Sequence, residues 1–224
     1  MKVLVVDVGG THVKVLATGA ADDRQFESGP TMTPGRMVDG VIRAAGDWEF
    51  AAVSIGYPGP VVRGQPLLEP HNLAPGWVGF DFAAHFGRPV KVVNDAAMQA
   101  LGSYQGGQML FLGLGTGLGS ALVADGELVP LELAHLPYRE GRTFEDDLGL
   151  RGLDRLGEAQ WRRAVEDVVA RLKSALVADH VVLGGGNVHR LDPLPPGCRR
   201  GDNRNAFTGG FRLWEDRRTG APES

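Results

Sequence analysis

Cysteine is almost missing from this chain: the single Cys198 excludes an internal disulfide framework and suits a reducing compartment. Long apolar runs are missing too. The hydrophobic stretches are strand-sized, well short of the ~20 residues that span a bilayer, and the N-terminus enters a strand with no signal-peptide pattern. No membrane partner is expected, and a cytoplasmic location is the default. There is no Pro- or Ser-rich linker, so domains, if more than one, should be tightly coupled, and no internal repeat shows in the sequence. What is present is ordinary for a globular protein: 224 residues, 43% hydrophobic and 22% charged. That is enough for one large or two small α/β domains.

Charge is unevenly placed. The net charge is −4, yet residues 1–150 carry 10 Lys+Arg against 17 Asp+Glu, whereas residues 151–224 carry 13 against 10. The basic part is mainly Arg151, Arg155, Arg162, Arg163, Arg199, Arg200, Arg204, Arg212, Arg217 and Arg218. Arginine forks suit phosphate oxygens, although a solvated helix face and a loose tail would give the same pattern.

Two glycine turns carry the chemistry. Val3-Leu4-Val5-Val6 breaks at Asp7-Val8-Gly9-Gly10-Thr11 and resumes at Val13-Lys14-Val15-Leu16, which reads as a hairpin. A carboxylate (Asp7), bare backbone amides (Gly9, Gly10), a hydroxyl (Thr11) and Lys14 are what a phosphate chain and its magnesium ion require. The same device recurs at Gly113-Leu114-Gly115-Thr116-Gly117-Leu118-Gly119, again between apolar runs. No helix pattern opens after these glycines and no Gly-Lys-Ser/Thr follows, which excludes a dinucleotide fingerprint and a Walker loop. A third run, Val181-Val182-Leu183, ends in Gly184-Gly185-Gly186-Asn187.

Between the turns the sequence predicts strands near 24–28, 51–55 and 89–93, helices over 34–45 and 95–104, then strands at 108–114, 120–123 and 127–129 around an Asp125-Gly126 turn. A long helix follows with Trp161, Val165, Val168, Val169, Leu172 and Leu176 on one side. Gln105-Gly106-Gly107 is the expected boundary between an N-terminal domain (1–105) and a C-terminal domain (106–224).

Taken in order, these motifs resemble the ROK sugar kinases (repressors, open reading frames, kinases) of the hexokinase-actin ATPase superfamily. Asp7 to Thr11 is similar to the family's first phosphate motif, Leu114 to Gly119 to its second, and Leu183 to Gly186 to its adenosine-side turn. Val93-Asn94-Asp95-Ala96 resembles its catalytic segment, Glu132-Leu133-Ala134-His135 its Glu-x-Gly-His sugar motif, and Asn205 to Gly210 its closing helix. The resemblance implies a two-domain, duplicated ribonuclease H-like α/β fold with an interdomain cleft. It implies Asp95 as the base that accepts a sugar hydroxyl proton, although Asp also caps helices well. Sugar contacts would come from Asn94, Asp95, Glu132, His135 and Glu145, with Asn72 and Gly59 on the other side. Donor contacts would come from Asp7, Gly9, Gly10, Thr11, Lys14, Gly115, Thr116, Gly117, Gly184, Gly185 and Gly186, with Mg²⁺ held at Asp7 through water. Ala134 departs from the family's glycine, and its extra methyl bears on the loop that places His135.

Pro137-Tyr138, Gly141 to Gly149 and the lack of zinc-binding cysteines between Leu136 and Gly149 resemble the polyphosphate glucokinases of the family. The resemblance therefore implies phosphorylation of the glucose 6-hydroxyl from polyphosphate, ATP or both, no zinc, and a homodimer. The alternatives are an ATP-dependent kinase for mannose or fructose and a non-catalytic sugar-binding regulator. Family repressors carry a helix-turn-helix domain ahead of the first phosphate motif; here that motif starts at residue 7, so no nucleic acid partner is expected. Arg199 and Arg200 are expected to line a groove for a polyanionic donor.

Overall fold

The computed structural model describes residues 1–215, so Arg217 and Arg218 lie outside the described residues. The chain forms two compact units: Met1–Met98 with the chain from Ala206 on, and Gln99–Asn205. The division differs from the expected Gln105-Gly106-Gly107 boundary. It falls inside a helix, and the closing helix belongs with the first unit.

In the first unit β1 (Val3–Val8), β2 (His12–Ala17) and β3 (Arg24–Glu27) form an antiparallel meander. Helix α1 (Pro34–Ala45) starts where the Thr33 side chain accepts the Arg36 N–H and Pro34 supplies a fixed φ, and it stops at Gly46. Its Met37, Val38, Val41 and Ala45 are buried in the unit's core. Strand β4 (Ala52–Tyr57) follows, then a small ribbon of β5 (Val61–Val62) and β6 (Gln65–Pro66), the short helix α2 (Phe82–Phe86) and β7 (Val90–Asn94). The sheet order is β3-β2-β1-β4-β7, with β1, β4 and β7 parallel. Strand β4 is buried along its whole length, as expected of a strand covered on both faces.

Helix α3 (Asp95–Ser103) contains the division between the units. The second unit then repeats the topology of the first. Strands β8 (Met109–Leu114), β9 (Leu118–Ala124) and β10 (Glu127–Leu131) make a meander. Asp125 and Gly126, both at positive φ, form the turn between β9 and β10. After α4 (Phe144–Leu148), α5 (Leu150–Leu156) and α6 (Glu158–Ala175), strand β11 (His180–Gly184) pairs parallel to β8, and β12 (Cys198–Arg200) parallel to β11. The order β10-β9-β8-β11-β12 matches that of the first sheet element for element. The duplication is thus a repeat of topology that the sequence does not show. Trp161 anchors α6 to the core, and its Nε1 donates to the Leu148 carbonyl at 2.9 Å.

Helix α7 (Asn205–Arg212) closes the first unit. It contains Gly209 and Gly210, against helix propensity. The reason is contact: a Cβ on Gly210 would strike the Val5 side chain of β1, and buried Ser54 Oγ donates to the Gly210 carbonyl at 2.6 Å. Trp214 Nε1 in turn donates to Ser54 Oγ at 2.9 Å. Among the described residues no helix is long and apolar enough to cross a membrane.

Gly210→Val forces a β-branched side chain against fully buried Val5, so the expected outcome is a loss of about 2–4 kcal/mol from overpacking and poorer propensity together. Chemical denaturation of the purified variant checks this, and an unchanged midpoint would place α7 away from β1.

Candidate active site

In the first unit, the register of the parallel strands brings the expected residues to one edge of the sheet. Asp7 on β1 pairs with Gly56 on β4, and Tyr57 on β4 pairs with Asn94 on β7. Asp7, Asn94 and Asp95 therefore share the carboxyl ends of adjacent parallel strands, where open α/β sheets bind ligands. Gly56 keeps this edge compact: a Cβ there would collide with Met98 and lie 3.5 Å from the Asp95 Cα.

Asn94, and not Asp95, caps α3. Its Oδ1 accepts the Ala97 N–H at 3.1 Å, and its Nδ2 donates to the Gly59 carbonyl at 3.0 Å, so one amide ties the helix start to the Pro58-Gly59-Pro60 turn. Asp95 is the first helical residue, and its Oδ1 accepts the adjacent Ala96 N–H at 2.7 Å.

The first glycine turn is fixed from both sides. Gly9 N–H donates to the His12 carbonyl at 3.0 Å, and Ser28 Oγ donates to the Gly9 carbonyl at 2.6 Å. A Cβ on Gly10 would lie 3.2 Å from Asn72 Cβ, so Asn72 packs directly over the turn. The loop carrying Asn72 is held by Glu69, whose carboxylate accepts the N–H groups of Gly76, Trp77 and Val78. Thr11 is exposed beside the turn. Asp7 faces Lys14 across the hairpin. Burial pushes the Asp7 carboxyl above its ordinary range, and the Lys14 charge offsets this only in part.

In the second unit, β8 ends at Leu114 and β9 begins at Leu118, leaving Gly115-Thr116-Gly117 as the turn with Thr116 exposed. Leu150 N–H donates to the carbonyls of Gly115 and Thr116, both at 3.1 Å. Asn187 Nδ2 donates to the Gly115 carbonyl at 3.1 Å, and Asn187 N–H to the Leu114 carbonyl at 2.9 Å. The Gly184-Gly185-Gly186 turn thus lies directly on the second glycine turn. Gly185, at φ 83°, leaves no space for a Cβ against the Leu114 backbone. Asn187 and Ser28 are not among the site residues that the sequence predicts. Each is a polar residue beside a glycine turn, a signal too common to stand alone.

Glu132, His135 and Glu145 come together in this unit. Glu132 is solvent-accessible, yet partial desolvation pushes its carboxyl up, with His135 pulling it down and the Glu145 charge raising it further. Residues 134–135 form a turn, and Ala134 is buried in the core with Phe144 and Leu148. The methyl that departs from the family pattern is therefore absorbed by the core. Asp147 is fully buried and bound by Arg139 (2.7 Å), Arg142 (2.8 Å) and Arg155. Burial opposes its charge, but the guanidinium hydrogen bonds prevail and hold the carboxyl below its usual range.

The arginine groove needs correction. Arg199 donates to the Ser103 carbonyl and lies against the Met109 sulfur, while Arg200 donates to the Leu191 carbonyl at 2.9 Å. Arg155 binds Asp147, and Arg162 binds Glu158 and the Asp192 carbonyl. These arginines brace the second unit itself. Cys198 sits on edge strand β12, where burial pushes its thiol up to about 11.

Residues 3–130 match the sequence profile of the ROK family. The chain belongs to the ROK family. Over 215 residues it is 25% identical to a polyphosphate glucokinase of Mycobacterium leprae, covering 85% of this chain and 65% of that enzyme, so it spans just under two thirds of that relative's length. Over 145 residues it is 29% identical to an N-acetylmannosamine kinase of Escherichia coli O157:H7, covering 58% of this chain and 50% of that one. The solved inorganic polyphosphate/ATP-glucomannokinase of Arthrobacter sp. strain KM superposes with a TM-score of 0.78 at 23% identity, covering 93% of this ROK chain and 96% of its own. The fold is that of the actin-like sugar kinases.

Because the folded state disfavours ionised Asp7, its cost is absent below the ordinary carboxylate range and grows as pH rises through the raised pKa. Asp7→Asn is expected to raise Tm at pH 7 in metal-free buffer, with the gain vanishing as pH falls toward about 4. A lower Tm at pH 7 would show that Lys14, and not burial, governs this carboxylate.

Proposed function

We propose that this ROK protein is a magnesium-dependent hexose kinase that transfers a phosphoryl group from ATP or polyphosphate to the 6-hydroxyl of glucose. The observation that carries the proposal is Asp95: it stands at the carboxyl edge of β1, β4 and β7 while its neighbour Asn94 performs the capping that would otherwise explain it. A sugar hydroxyl is a poor nucleophile, and a carboxylate at that edge is the group to take its proton as the phosphoryl group moves.

The remaining residues take consistent roles. The turns at Gly9-Gly10-Thr11 and Gly115-Thr116-Gly117 offer amides and hydroxyls to phosphate oxygens. The Gly184-Gly185-Gly186 turn would receive an adenosine group. Asn72 and Asn94 in the first unit, and Glu132, His135 and Glu145 in the second, carry polar groups of the kind that pair with hexose hydroxyls. Among the described residues no three His, Cys, Asp or Glu side chains gather to hold a metal, so an all-protein cage is not offered. A lone carboxylate such as Asp7 fits Mg²⁺, which keeps waters and takes phosphate oxygens as its other ligands. When bound, the ion would neutralise charge on the transferring phosphate. Zinc has no part in the proposal: the segment 136–149 contains no cysteine and is organised by Asp147 and its arginines. Glucose is favoured by likeness to polyphosphate glucokinases, and another hexose by likeness to the N-acetylmannosamine kinases and the glucomannokinase.

Asp95→Asn keeps the shape of the side chain and removes the proton acceptor. With glucose and either donor, kcat is expected to fall by roughly 10²- to 10⁴-fold while the glucose KM changes little. Steady-state assay of sugar phosphate formation measures both. A variant keeping more than about a third of wild-type kcat would remove Asp95 from the role of base.

A further inference from the structure

Glu145 lies in the first turn of α4 and touches both halves of the chemistry in the second unit. Its backbone N–H donates to the Ala134 carbonyl at 2.9 Å, in the Ala134–His135 turn that follows Glu132. Its Oε2 accepts the Leu118 N–H at 3.1 Å, at the residue that closes the second glycine turn. The same carboxylate fills the space where Gly117 would carry a Cβ. Its Oε1 is 3.8 Å from the guanidinium of Arg151, a side chain 80% exposed, and a pair so loose and so wet contributes little.

Holding a carboxylate behind a turn meant for phosphates is electrostatically unfavourable, so it calls for a compensating role. Gly115-Thr116-Gly117 has little side chain of its own to fix it. Asn187 and the Leu150 N–H hold its carbonyls, and Glu145 holds the amide at its end. We propose that Glu145 is a positioning residue for the second phosphate turn, so that the hexose motif and the donor turn of this unit move as one element. The inference rests on the kinase reading for its catalytic consequence, but the contact itself does not. Displacement of the Ala134–His135 turn would be passed through the Glu145 backbone to its carboxylate and so to Leu118.

The test compares Glu145→Ala and Glu145→Gln with the wild type. Initial rates are taken against ATP and polyphosphate at saturating glucose, and against glucose at saturating donor. Backbone amide exchange of Leu118 is followed by NMR in the absence of ligands. Loss of one hydrogen bond in Glu145→Ala is expected to raise the donor KM by about tenfold and to speed Leu118 exchange by a similar factor. Glu145→Gln, whose amide oxygen can accept the same bond, is expected to keep the donor KM and Leu118 exchange within about threefold of wild type, whatever its effect on the glucose KM. Should Glu145→Ala not fold, Glu145→Asp withdraws the carboxylate by one methylene and is expected to act in the same direction. A donor KM in Glu145→Ala within about twofold of wild type, or a Gln variant as impaired as Ala, would overturn the positioning role. Absence of any sugar phosphate from the wild type would instead remove the kinase reading, and Leu118 exchange would still decide the contact: faster in Glu145→Ala supports it, unchanged overturns it.

Discussion

The second unit depends on one buried charge. Asp147 has no exposed surface, and an isolated carboxylate in that position would be strongly disfavoured. Arg139 and Arg142 reach it from the preceding loop and Arg155 from α5, so the chain from Leu136 to Leu156 is folded around a single anion. Breaking one partner of such a cluster costs far more than an exposed ion pair contributes. Two residues earlier, Glu145 bonds the Ala134 turn through its backbone N–H and the end of the second glycine turn through its carboxylate. The Thr143–Asp146 capping box fixes the start of α4 between them.

The first unit meets the same need without a buried cluster. Its glycine turn is tied by Ser28, its covering loop by the three amides that Glu69 accepts, and the carboxyl edge of its sheet by the Asn94 bond to Gly59. Both units place a flexible glycine-threonine turn after the first strand of the meander and then remove its freedom with side chains from elsewhere in the unit. The tethers differ completely between the units although the strand order is identical. That contrast explains why the duplication is visible in topology and not in sequence.

Much of this was legible in the sequence because it rests on local chemistry. The valine-rich runs, the helix over 34–45, the Asp125-Gly126 turn and the one-sided stripe of α6 were placed by periodicity and turn residues. Helices α2 and α4, five residues each, are too short for a period to show, and β12 reads as polar because two of its three residues are arginines. The glycine turns and the carboxylates beside them stand out in the sequence by residue type alone. What could not be read was which partner each polar residue takes. Arg199 suggested a phosphate ligand, yet its guanidinium meets the Ser103 carbonyl, 96 residues away in the chain. Asp95 reads as a helix cap in the sequence, yet the residue that caps α3 is Asn94, whose Oδ1 accepts the Ala97 N–H. Such long-range pairings are settled by packing, which no local pattern encodes.

The central claim is that the carboxylate at the edge of the first sheet directs phosphoryl transfer to the 6-hydroxyl of a hexose. Incubation of the wild-type protein with [6-¹³C]glucose, Mg²⁺ and either ATP or polyphosphate, followed by ¹³C and ³¹P NMR, tests it most directly. The account predicts that the C6 resonance acquires coupling to phosphorus as the donor is consumed. Phosphorylated glucose whose C6 resonance lacks coupling to phosphorus, or no phosphorylated glucose with either donor, would contradict it.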